Sequence, residues 1–114
     1  MEVKYKRKIL IYETDNQVAL LLKEILISKD FEADLFQDTK DGYTAFLVNQ
    51  YDVCILELSI EERTGFNLGT DIRQVNPGIP IIFFRPVLLR GVSLIDSRES
   101  VDEYIAKSLS NYGL

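Results

Sequence analysis

The residues that could do chemistry in this chain stand singly, each just after a short apolar run. Glu13, Thr14 and Asp15 follow Ile9-Leu10-Ile11-Tyr12, and Glu57 and Ser59 follow Val53-Cys54-Ile55-Leu56. Arg85 follows Ile81-Ile82-Phe83-Phe84, and Lys107 follows Tyr104-Ile105-Ala106. If the apolar runs are strands of one parallel sheet, these acids and cations converge on one rim, because ligands bind beyond the carboxyl ends of such strands. Taken alone, they also read as ordinary solvated charges at strand ends. The chain has no histidine, which removes Ser-His and Cys-His catalysis and most transition-metal sites. Its one cysteine, Cys54, lies inside an apolar run and reads as a buried structural thiol. No glycine-rich loop follows Tyr12, so a nucleotide or flavin phosphate site has no support.

The elements that would position these residues are legible from periodicity. Ile9 to Tyr12, Val53 to Leu56 and Pro80 to Phe84 are apolar runs of buried-strand length, and Glu32 to Phe36 alternates. Asp15 and Asn16 can cap a helix whose Val18, Leu21, Leu22, Ile25 and Leu26 share one face. Asp38 to Asn49 and Gly65 to Val75 read as two more helices, the second closed by the turn Asn76-Pro77-Gly78. Pro86 to Ile95 reads as a weak helix, and Glu103 to Ala106 as a short fifth strand. Alternating strands and helices predict an α/β doubly wound fold with a five-stranded parallel sheet in the order 2-1-3-4-5.

With 114 residues, 46% hydrophobic, the chain is predicted to be one domain with a real core. No apolar stretch approaches a membrane span, and the apolar run after the basic N-terminus is too short for a signal peptide. Cytoplasmic location is the expectation. A net charge of −5 argues against nucleic acid or anionic lipid as direct partners of this domain.

From about Lys8 to its end the chain resembles the receiver (CheY-like) domain of two-component response regulators, in the OmpR-like group joined to winged-helix DNA-binding domains. The resemblance rests on Lys8 to Tyr12, Tyr51 to Leu56, Gly65-Phe66, Ile79 to Phe83 and Asp102 to Lys107, in order and at family spacing. It implies a signalling module rather than an enzyme, with protein partners, homodimerisation, a sensor kinase, and DNA contact only through a further domain. It also implies roles at six positions, most of them altered here. The Mg²⁺-holding acidic pair is Glu13 and Thr14, and the phosphoacceptor aspartate is Glu57. Arg85 stands at the hydroxyl switch position, Tyr104 at the aromatic switch, and Lys107 keeps the family lysine with Ser108 in place of its proline neighbour.

Two expectations follow from these departures. Losing one carboxylate and lengthening the others disfavours Mg²⁺, which wants near-ideal octahedral oxygen geometry, so no metal, no cofactor and no aspartyl phosphorylation are expected. Glu57, Lys107 and Arg85 could instead form a fixed ion cluster. The alternatives are an unconventional phosphoacceptor at Glu57 or Asp15, and a flavodoxin-like cofactor binder. Finally, Ser110 reads as the cap of a last helix cut short at Leu114, which would leave an uncovered apolar face and favour dimerisation, swapping or low stability.

Overall fold

The computed structural model describes residues 6–59, 62–85 and 94–114. Four strands and four helices alternate among them: β1 (Lys8–Tyr12), α1 (Asn16–Ser28), β2 (Glu32–Phe36), α2 (Thr39–Val48), β3 (Val53–Glu57), α3 (Thr64–Val75), β4 (Ile81–Phe84) and α4 (Leu94–Asn111). The sheet is parallel throughout, in the order β2-β1-β3-β4. Because both its faces are covered, the central strands read as unbroken apolar runs, and alternate side chains enter two cores. Ile9, Ile11, Val53, Ile55, Ile82 and Phe84 pack against α1 and α4, whereas Leu10, Tyr12, Cys54, Leu56 and Ile81 pack against Phe46 of α2 and Leu68 and Ile72 of α3.

Local chemistry sets the ends of these elements. Asp15 caps α1 by accepting hydrogen bonds from the Gln17 and Val18 N–H groups at 2.9 and 3.1 Å. Asp15→Ala should lower stability by about 1 kcal/mol, read as an earlier urea midpoint with unchanged slope. At the other end Asp30 takes a positive φ of 69°, and Phe31 N–H returns to the Leu26 carbonyl at 3.0 Å, which closes the helix while Phe31 packs on the core. Asp38 caps α2 in the same way as Asp15 caps α1. On α2 Phe46 is buried, whereas its neighbour Leu47 is 53% exposed.

The last third of the chain departs from the expected topology. Glu103 to Ala106 is not a fifth strand but the middle of α4. Val101, Ile105 and Leu109 recur every four residues and are all buried against α1, which a helix permits and a four-residue strand does not. A strand at 103–106 would have sent only alternate side chains inward. The helix expected at Pro86 to Ile95 falls mostly outside the described residues, and Leu94 and Ile95 begin α4.

The truncated final helix is also replaced. Ser110 and Asn111 close α4, and Gly113 at φ 74° forms a helix stop, with its N–H on Ser110 O and Leu114 N–H on Leu109 O, both at 3.0 Å. The face expected to lie bare is therefore covered by α4. Tyr104 of α4 and Tyr112 just past its end also reach the outer edge of β4: Tyr104 Oη donates to Phe83 O at 2.6 Å and Tyr112 Oη to Ile81 O at 3.4 Å. Among the described residues no helix is long and apolar enough to cross a membrane.

Candidate functional site

Register dictates which strand ends meet. Tyr12 pairs with Leu56 and Glu57 with Phe84, so the next residues, Glu13, Glu57 with Leu58, and Arg85, come out side by side at the carboxyl end of the sheet. The rim inferred from sequence forms for these three. Lys107 does not join them, because it lies exposed on α4 rather than after a fifth strand. Tyr104 is on α4 as well, although its hydroxyl does reach β4.

Glu13 is the buried acid of the site, 1% exposed. Its Oε2 accepts the Asp15 N–H at 3.0 Å, while Oε1 is buried with no donor among the described residues. Burial, then the hydrogen-bonded Glu57 carboxyl and its charge, push the Glu13 carboxyl up to about 8, against a weaker pull downward from the Asp15 N–H. Burial beside a second carboxyl thus favours the neutral, protonated form of Glu13. Two carboxylates so close cannot both ionise cheaply, and the proton on Glu13 also serves the orphaned oxygen. Thr14 completes the arrangement, its hydroxyl donating to both Glu57 oxygens, at 2.8 and 3.0 Å.

The expected Glu57–Lys107–Arg85 ion cluster is absent among the described residues. Glu57 is met by a hydroxyl and a protonated acid rather than by cations. Arg85 keeps its Nε buried with no partner, and neither Arg85 nor Lys107 forms an ion pair with a described residue. Asp15 has its Oδ1 committed to the α1 cap. Among the described residues no three Asp, Glu, Cys or His side chains are grouped so as to hold a metal.

Two supports of the site escaped the sequence reading. Tyr12 Oη and Thr64 Oγ1 lie 3.0 Å apart, tying β1 to the start of α3. Gly65 lets α3 press directly on β3, since a Cβ there would lie 1.7 Å from the Glu57 carbonyl oxygen. Cys54, by contrast, is as expected: burial pushes its thiol up to about 12. It should resist a thiol-specific disulfide reagent in the native protein and react fully only in denaturant; rapid native reaction would contradict this burial.

Residues 9–86 match the model of the response regulator receiver domain. The chain belongs to that family. Among curated relatives, the transcriptional regulatory protein RprY of Bacteroides fragilis is 36% identical over 105 residues, which are 92% of this chain and 44% of RprY. This receiver domain thus spans under half the length of that relative. Solved receivers share the fold at low identity. Chemotaxis protein CheY4 of Vibrio cholerae is 14% identical with a TM-score of 0.74, over 94% of this chain and 98% of that one. Response regulator TrrA of Thermotoga maritima, solved in complex with histidine kinase ThkA, is 19% identical with a TM-score of 0.68, over 90% and 98%.

Proposed function

We propose that this receiver domain is a phosphorylation-independent signalling module, the regulatory part of a transcription regulator, working by protein–protein contacts in the cytoplasm rather than by catalysis. The observation that carries this reading is the buried Glu13 carboxyl set against Glu57, whose two oxygens already accept the Thr14 hydroxyl. In the family's pattern, acids at these places hold Mg²⁺ and receive the phosphoryl group. Here one position is a threonine, one acid is protonated and buried, and the other is already hydrogen-bonded. A divalent ion would have to displace the proton and find octahedral oxygens that these side chains do not offer. The residues present do not fit Mg²⁺.

The partners in this reading are a second copy of the chain, a DNA-binding domain in the same protein, and other signalling proteins. A sensor kinase would act as a contact rather than as a phosphoryl donor. Incubation with Mg²⁺ and acetyl phosphate, followed by intact mass measurement, tests the proposal. An unchanged mass is expected. A stable phosphoryl adduct would overturn it, and peptide mapping to Glu57 or Asp15 would then establish the unconventional phosphoacceptor.

A further inference from the structure

Next to the acid pair in sequence, but with neither Glu13 nor Glu57 among its described lining, is a pocket of about 220 Å³ lined by Leu58, Ser59, Arg63, Phe66 and Arg85. Its walls come from the turn after β3, the first turn of α3 and the end of β4. Two guanidinium groups line this small space in a chain of net charge −5, and neither pairs with a carboxylate among the described residues. The nearest rim acid, Glu57, is occupied by Thr14 and Glu13. Arg85 Nε is buried and has no hydrogen-bond partner among the described residues. Arg63 stacks on the Phe66 ring, 5.4 Å from the guanidinium carbon to the centroid, which pre-orients its fork. Ser59 Oγ accepts the Glu62 N–H at 3.4 Å and keeps its own O–H free to donate. Arg63 is also the N-cap of α3 and supplies no side-chain cap, so the amide groups of the first turn lack a side-chain acceptor at the same end.

We propose that this pocket binds a small oxyanion, a phosphate or carboxylate group, reversibly and without forming a bond to Glu57. Among the described residues its polar side chains are two guanidiniums and one hydroxyl, and an oxyanion supplies the acceptors that these guanidiniums lack. Planar guanidinium groups match phosphate and carboxylate oxygens in pairs, which a halide cannot reproduce. The inference is independent of whether Glu57 can be phosphorylated, because a reversibly held anion leaves the mass of the protein unchanged.

Amide chemical shifts of the ¹⁵N-labelled chain, followed during titration with sodium phosphate and separately with sodium acetate at constant ionic strength, test it. Saturable shifts confined to Ser59, Arg63 to Phe66 and Arg85 are expected with at least one anion and not with chloride. A response to phosphate alone assigns a phosphate group, and an equal response to acetate assigns a carboxylate. Arg85→Gln and Arg63→Gln should each weaken binding by about tenfold, in line with the loss of a charge-assisted contact. Arg63 is exposed, so its variant decides the matter if Arg85→Gln folds poorly. Shifts no larger than with chloride, shifts spread over basic residues elsewhere, or wild-type affinity in the Arg63→Gln variant would overturn the proposal.

Discussion

Gly65→Ala should cost at least about 3 kcal/mol of stability and leave the protein partly unfolded at 37 °C. The expectation comes from a contact with main chain rather than with a side chain that can turn away. The added methyl would sit 1.7 Å from the Glu57 carbonyl oxygen and 2.9 Å from its carbon. Alanine ordinarily gains about 1 kcal/mol over glycine inside a helix, but that gain cannot offset such an overlap. Either α3 shifts off β3 or β3 loses its end, and both displace Glu57. Gly69→Ala is the internal control, because its methyl would meet the Phe83 ring edge at 3.1 Å and that ring can yield. Urea denaturation of the two variants should rank them clearly, Gly65 far worse. Equal losses would mean that α3 does not rest on β3 as described.

The second large effect is expected from Glu13→Gln, and its sign depends on pH. The carboxyl of Glu13 is held up to about 8 in the folded protein, against an ordinary value of 4.5. Between those two values the folded state keeps a proton that the unfolded chain has lost. Stability from this group is therefore full below the ordinary value and is lost as pH rises through the folded one. The steepest loss is about 1.4 kcal/mol per pH unit, and the whole window is worth on the order of a few kcal/mol. Glutamine reproduces the protonated acid: its oxygen can accept the Asp15 N–H and its amide can donate to Glu57. The variant should match the wild type near pH 5, exceed it by a few kcal/mol near pH 9, and show a flatter stability profile. Parallel profiles for the two proteins would show that Glu13 is ionised and holds no such proton.

Much of this molecule could be read before the structure was known, for identifiable reasons. Strands covered on both faces must be apolar throughout, so Ile9 to Tyr12, Val53 to Leu56 and Ile81 to Phe84 stood out, and their parallel order brought Glu13, Glu57 and Arg85 to one rim. The family followed from the same segments. What failed was local ambiguity. Tyr104-Ile105-Ala106 is short enough to fit either period, and the family spacing favoured a strand. The buried series Val101, Ile105 and Leu109, set by packing on α1, makes it helix. Lys107 went with that misreading, and so did the ion cluster built on it.

The burial of Glu13 had no signal, because an acid at a strand end is usually solvated. It shows only in the fold, where the Glu57 carboxyl and the Asp15 amide stand beside it. Arg63 gives no signal for a similar reason, since a cation in a loop is usually solvated. Its position over Phe66 and beside Arg85 depends on how α3 seats against β3, which Gly65 permits.

The two tyrosine hydroxyls on β4 have a consequence for solubility. Ile81-Ile82-Phe83-Phe84 is an uncharged, strongly strand-forming segment at the border of the sheet, the sort of sequence that recruits other chains into fibrils. Its outward carbonyls at Ile81 and Phe83 are the groups that an incoming strand would need, and Tyr112 and Tyr104 already occupy them. The last helix thus does more than complete a hydrophobic layer. Together with Tyr112 it stands in the way of edge-to-edge pairing, and this protection would lapse if the C-terminal segment frayed.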